Sequence, residues 1–262
     1  MIELTKENIN ELERLQVSGK NTGGDIFVIS SQILYKIYDD TNFIDIKEQN
    51  IDFLLKTKPI ALSGYPIDKI ILKETHEFIG FSMPYYHNTQ TFTQMCNNDA
   101  LSFPYKKKII EDIYAQLKEL HKRGILLKDI HMDNFIANES GHIIDLDEFI
   151  LPGNEYSFRQ YYCISKNARR PSIVYPTRIS DNIKTIISSL SLIYGYNFEE
   201  ILRKNENLDE FLEYYKQYFP KLLYEYLELM FNMKELIYFD EVIDYILKDN
   251  DIISMEKTRK LI

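Results

Sequence analysis

The sequence predicts an α+β protein in which a small antiparallel sheet precedes a mostly helical remainder. Short β-type runs broken by Gly, Asn and Pro turns fill roughly the first 85 residues, and from Phe103 the apolar residues recur at helical spacing. The two kinds of element are segregated, and a crevice between such halves is where ligands commonly bind. The 262 residues are enough for one large domain or two small lobes, and 45% apolar with 27% charged residues is the composition of an ordinary globular chain.

Taken in order, "RLQVSGK", "DIFVIS" and "QILYKIY" read as three antiparallel strands joined by two tight turns. "NFIDIKEQNIDFLLK" follows as one amphipathic helix, with Ile44, Ile51, Leu54 and Leu55 near helical spacing. "DKIILKE" and "EFIGFSMPYY" are two further strands. "YKKKIIEDIYAQLKELHKRG" is a helix with Gly124 at its left-handed C-cap position. "SDNIKTIISSLSLIYGY" reads as a buried helix capped by Ser180 or Asp181, and from Phe198 onward the pattern is amphipathic helix, with Pro220 starting a new one. The expected boundary between the halves lies near His87, giving 1–87 and 88–262.

A net charge of −9 and a pI near 5.2 argue against broad nucleic-acid or anionic-membrane binding. The run Lys106, Lys107 and Lys108 reads as solvated surface. Cys96 and Cys163 have neither disulfide-framework nor zinc-ligand spacing, which fits a reducing compartment. The charged amino-terminal stretch is unlike a signal peptide, and the longest uncharged run is too short to span a membrane, so a cytoplasmic protein is expected. Oligomeric state is not readable from the sequence.

The most informative stretch is "LLKDIHMDNFIANESGHIIDLDEF". It places Asp129, Asp133, Glu139, Asp145, Asp147 and Glu148, together with Asn134, among apolar runs. Burying an unpaired carboxylate costs several kcal/mol, so positive charge has to meet this cluster.

"LKELHKRGILLKDIHMDNFI" resembles the long helix and catalytic loop of the protein-kinase-like phosphotransferases, and "HIIDLDEF" resembles the metal-binding segment that follows. The resemblance implies a bilobal fold using ATP and Mg²⁺. It puts Asp129 at the catalytic carboxylate, Asn134 and Asp145 at the metal, and Asp181 beneath the loop as its brace. Lys36 in "LYKIY" falls where the family keeps its phosphate-holding lysine, and Glu48, twelve residues on, would be its ion-pair partner. Gly19, Gly23 and Gly24 in "SGKNTGG" would let backbone amides approach phosphate, although they depart from G-x-G-x-x-G and also suit a plain hairpin turn. "GFSMPYYHN" looks like the hinge, with Met83 behind the adenine pocket and Pro84 and Tyr86 offering backbone contacts to adenine. These marks run in order from residue 19 to 181.

The five-residue step from Asp129 to Asn134 suits the chemistry. A turn can direct one carboxylate at an incoming hydroxyl while an amide oxygen faces a hard cation. The departures concern the substrate. Leu127 and Lys128 replace the His and Arg of His-Arg-Asp, which puts control by activation-loop phosphorylation in doubt. His131 and Asp147 are nearer the aminoglycoside- and choline-kinase branch, and "NARRPSIVYP" stands where Ala-Pro-Glu is expected.

A small atypical Ser/Thr protein kinase is the leading expectation. A small-molecule kinase, a nucleotide-binding pseudokinase scaffold and a nucleotidyl transferase are the alternatives. The acceptor is therefore a protein or metabolite hydroxyl. His131 joins Asp129 and Lys36 as a candidate catalytic residue, with a structural role equally open. His121 reads as a satisfied helix-end histidine. Asp133, Asp147 and Glu148 read as solvated, or as partners of Lys128, Arg169 and Arg170.

Overall fold

The computed structural model describes residues 1–15, 23–39, 44–98, 100–127, 129–150, 177–200, 219–231 and 236–247. Within them the protein is α+β. The strands β1 (Ile2–Leu4), β2 (Glu13–Arg14), β3 (Asp25–Val28), β4 (Ile33–Ile37), β5 (Asp68–Leu72) and β6 (Phe78–Pro84) form one sheet in the order β1-β5-β6-β4-β3-β2. β2, β3 and β4 run antiparallel in succession, and of the first expected strand, 14–20, only Arg14 and Leu15 fall within the described residues. β1 was not anticipated. It pairs parallel to β5 at the sheet edge, and a three-residue strand of this kind is specified by its partner more than by its own pattern. A short helix α1 (Lys6–Asn10), closed by a capping box between Thr5 and Asn8, links β1 to the meander.

α2 (Ile44–Leu55) lies against this sheet. Ile51 packs with Leu34, Phe78, Phe81 and Met83 in a small apolar cluster, while Leu54 joins the larger core. Gly80 has a steric reason for being glycine. A Cβ there would lie 2.0 Å from the carbonyl oxygen of Lys36 on β4, so any larger residue pushes that strand away.

The larger core is built on α4 (Phe103–Lys122). Ile109, Ile110, Ile113, Leu117 and Leu120 recur at helical spacing and are fully buried, each stabilising the fold by roughly 1.5–3 kcal/mol. Gly124 follows with φ 74°, as its position predicts. Around α4 pack α3 (Phe92–Cys96), α5 (Arg178–Tyr194), α6 (Lys221–Phe231) and α7 (Phe239–Ile246).

Two local expectations are corrected. The N-cap of α5 is Thr177, whose hydroxyl accepts from Ser180 N–H, so Ser180 is the reciprocal partner and the Asp181 carboxylate is left for another task. Lys106 is buried rather than solvated, and its ammonium donates to the Ile193 carbonyl near the end of α5 (3.2 Å), where the helix dipole favours a cation.

Candidate active site

Two nested ladders explain how the acidic stretch is folded. Inside, β9 (Phe135–Ala137) and β10 (Gly141–Ile143) form a hairpin in which Phe135 pairs with Ile143, with β7 (Gln90–Thr91) along the other edge of β9. Asn134, just before the hairpin, and Asp145, just after it, therefore emerge at the same end, and Ile144 N–H donates to the Asn134 carbonyl (3.0 Å). Outside, β8 (Leu126–Leu127) pairs with β11 (Phe149–Ile150). Asp129, Asn134, Asp145 and Asp147 all lie in the turns between the two ladders.

The first of these turns carries Asp129. Its side chain is largely exposed, with His131 Nε2 3.4 Å from one carboxylate oxygen. His131 precedes a single 3₁₀ turn (Met132–Asn134), and its Nδ1 accepts from Asp133 N–H at 3.2 Å. Burial opposes protonation of this imidazole, but Asp129, with Glu199 and Asp133 further off, raises its pKa above the ordinary value. Asn134 Nδ2 donates to the Asp129 carbonyl (2.7 Å), which turns the amide so that Oδ1 is the atom presented to a cation.

Asp181 lies beneath this loop, against Leu127. It is buried, accepts from Leu127 N–H at 2.8 Å and lies 3.0 Å from His121 Nε2. His121 is held on its other nitrogen by Tyr238 OH (2.8 Å), so it is the satisfied helix-end residue anticipated. Burial raises the Asp181 carboxyl, against the pull of His121 and the Leu127 amide.

Lys36, on β4, meets the second turn. Its ammonium is buried and pairs with both Asp145 and Asp147, the latter at 2.8 Å. Asp147 also accepts from Tyr38 OH (2.8 Å), and Lys47 of α2 stands 4.0 Å from it and 3.4 Å from Glu148. These two lysines are the positive charge that meets Asp145, Asp147 and Glu148, three of the six carboxylates in the stretch. Asp145 keeps about a third of its side chain exposed, whereas Asp147 has none exposed. Burial and the neighbouring Asp147 push Asp145 up to about 6 against the pull of Lys36. Asp147 is desolvated too, yet Lys36 and Lys47 hold its carboxyl well below the usual range.

Asp145 has φ 64°, an unusual conformation for a residue other than glycine and of the kind that concentrates at functional sites. Gly24 has φ 142°, and a Cβ there would lie 2.4 Å from the Ile37 carbonyl, so the turn between β2 and β3 needs glycine at this point. Gly23 passes close to the Lys36 ammonium, since a Cβ on it would be 3.7 Å away. Gly19 lies outside the described residues, as do Lys128, Cys163, Arg169 and Arg170.

The expected pairing of Glu48 with Lys36 is not what the structure forms. Glu48 binds Lys69 of β5 at 2.5 Å, together with Asp52 at 3.0 Å. The helical period gives the reason. Lys47, Asn50, Ile51 and Leu54 share one stripe of α2, and Glu48 and Asp52 lie on another. From the first stripe Asn50, buried, donates to the carbonyls of Asp147 (2.9 Å) and Phe149 (3.1 Å). Asp147 is likewise not solvated. Sequence reasoning missed Asp147, Asn50, Lys47 and Tyr38, although a polar Asn at a buried helical position was a readable signal.

At the expected hinge, Met83 is buried opposite Leu34, and Pro84 pairs with Ile33. Tyr86 stacks on His142 with ring centroids 3.7 Å apart, donates its OH to Ser63 O (3.0 Å) and accepts at its carbonyl from Thr89 Oγ1 (3.2 Å).

Among the described residues no group of three or more His, Cys, Asp or Glu side chains could hold a metal alone, and no helix is long and apolar enough to cross a membrane.

No family model matches the chain. Among curated proteins it is similar to three kinases. It is 20% identical over 190 residues to the putative ribosomal protein S6 kinase alpha-2 of Caenorhabditis elegans, covering 66% of this chain and 24% of that protein. It is 24% identical over 153 residues to the serine/threonine-protein kinase UCN of Arabidopsis thaliana, covering 53% and 38%. It is 23% identical over 145 residues to the RAC serine/threonine-protein kinase of Drosophila melanogaster, covering 53% and 24%. The chain thus spans well under half the length of the curated relatives it matches. These similarities support the protein-kinase-like superfamily, and the α+β architecture is compatible with its fold.

Proposed function

We propose that this chain is an ATP- and magnesium-dependent phosphotransferase that moves the γ-phosphoryl group to a hydroxyl, acting as a small atypical Ser/Thr protein kinase. The observation that carries the reading is the pairing of Lys36 with Asp145 on the turn after β10, next to the turn before β9 that carries both Asp129 and Asn134. Two lobes, 1–87 and 88–262, would enclose the nucleotide, with the hinge at Met83 to Tyr86. The Tyr86 carbonyl already accepts from Thr89, so its contact with adenine would fall to its N–H, while Pro84 would offer its carbonyl.

The donor set fits magnesium. Asn134 Oδ1 and the Asp145 carboxylate are hard oxygen donors, and a small hard cation needs few protein ligands beyond phosphate and water. Bound there, the ion would neutralise charge on the phosphate oxygens. Lys36 would bind the phosphates, the glycines at 23 and 24 would let backbone approach them, and Asp129 would orient the acceptor hydroxyl and take its proton. Such transfer rests on positioning and electrostatics, so no covalent role is required of the protein.

A second reading, a small-molecule kinase, is favoured by His131, which lies against Asp129. The two are separated by incubating the purified chain and its Asp145→Asn variant with Mg²⁺ and ATP labelled on the γ-phosphate, using a cell extract divided into protein and metabolite fractions. Label on protein that disappears in the variant is the expected result. Label confined to metabolites would favour the second reading. Retained Mg²⁺–ATP binding with no label anywhere would favour a scaffold, and label from ATP marked on the α-phosphate would favour nucleotidyl transfer.

A further inference from the structure

In protein kinases the phosphate-holding lysine is positioned by a glutamate on the helix that packs against the sheet, and both must be in place for activity. Here that helix, α2, turns its carboxylates Glu48 and Asp52 toward Lys69 and presents Lys47 and Asn50 to the site. The carboxylate and the cation have changed elements. The only groups paired with Lys36 among the described residues come from the segment after β10.

We propose that Asp147 is the residue that positions Lys36 for the phosphates, so that this function belongs to the 145–149 segment and not to a carboxylate on α2. The inference rests on the phosphotransferase reading. Of the two carboxylates on Lys36, Asp145 is partly exposed and free to turn toward a cation, whereas Asp147 is wholly buried and fixed from three sides. Tyr38 OH donates to its second oxygen, Lys47 approaches the same oxygen, and Asn50 holds the backbone carbonyls of residues 147 and 149. In this arrangement α2 acts by clamping the segment through Asn50. Displacing α2 would release Asp147, and Lys36 with it, without breaking any ion pair between the helix and Lys36. Asp147 is thus a positioning residue that acts through Lys36.

The test is a double-mutant cycle of Lys36→Met, Asp147→Asn and the pair combined, read by denaturant midpoint and by the dissociation constant for Mg²⁺–ATP, with Glu48→Gln alongside. Pairing predicts that each single change lowers the midpoint and that the double variant is no less stable than the worse single one, because both buried charges are gone. Positioning predicts that Asp147→Asn weakens ATP binding by about tenfold or more, that the double variant binds no worse than Lys36→Met alone, and that Glu48→Gln stays within about twofold. A merely structural Asp147 would weaken ATP equally in both backgrounds.

Additive losses, or a Glu48→Gln variant that loses as much affinity as Asp147→Asn, would overturn the proposal while leaving the phosphotransferase reading standing. If wild-type protein bound no Mg²⁺–ATP while the midpoints still coupled, the pair would stand, and the kinase reading and the positioning role would fall together. If Asp147→Asn did not fold alone, the double variant is expected to fold, and its failure would equally count against the pair.

Discussion

The loop from Asp129 to Asn134 and the corner around Lys36 both hold a charged side chain still, but they do so by different means. The loop is fixed through its backbone. Asp181 receives the Leu127 amide from below, and His121 and Tyr238 continue the hydrogen-bonded chain behind it. The corner is fixed by opposed charges, with Lys36 and Lys47 set among Asp145, Asp147 and Glu148. A backbone brace can be lost without changing the charge of the site, whereas no member of the corner can be removed without unbalancing the others.

The largest effect that follows is at Asp145. Asp145→Asn removes a carboxylate whose desolvation, with the repulsion from Asp147 added, outweighs the attraction of Lys36, so phosphoryl transfer should fall by about 10³-fold while thermal stability holds or rises. Parallel rate and melting measurements check it, and a variant that melts much earlier would mean that Asp145 is needed to hold Lys36.

Asp181→Ala should do the reverse. It strands the Leu127 N–H and the buried His121, each costing about 1–3 kcal/mol, so denaturation should register a clear loss of stability. On the proposed function, which gives ATP to the Lys36 corner, ATP affinity should change little.

Glu48→Gln sharpens the contrast within α2. Its bridge to Lys69 is partly exposed and should contribute no more than about 1 kcal/mol, and activity should stay within about twofold of wild type. A large loss of activity would place Glu48 back in the site.

The smallest effect concerns His142, which sits against Leu62 O and Tyr86. Burial lowers its pKa below the ordinary 6.5, so the unfolded chain takes up the proton first and stability falls as pH drops below that value. The slope it contributes is at most about 1.4 kcal/mol per pH unit, and His142→Gln should remove that component from a series of melts.

How much of this was legible depended on how local the determining physics was. The long helices and the central strands could be read because periodicity specifies them within a few residues, whereas the loop from Asp129 to Asn134 was singled out by its resemblance to a known family. The capping role expected of Ser180 or Asp181 belongs to Thr177, which leaves the Asp181 carboxylate to accept from Leu127 N–H. β1 was not readable, since it owes its conformation to pairing with a strand nearly seventy residues away. The Lys36 partner was misassigned because a helix one position out of phase presents a different face, and Glu48 and Lys47 are neighbours in sequence but about 100° apart around α2. The buried Asn50 would have fixed that phase. Asp147 looked like one more polar residue in an acidic turn, and only the fold brings Lys36, Tyr38 and Lys47 around it.

The most direct measurement is Asp129→Asn, followed by calorimetric titration with Mg²⁺–ATP and by single-turnover transfer to the acceptor fraction that the wild-type protein labels. With Asp129 at the acceptor hydroxyl and the nucleotide held by the other corner, binding should stay within about threefold while transfer drops by about 10²-fold or more. Transfer at the wild-type rate, or loss of ATP binding along with transfer, would contradict the division of labour between the two regions.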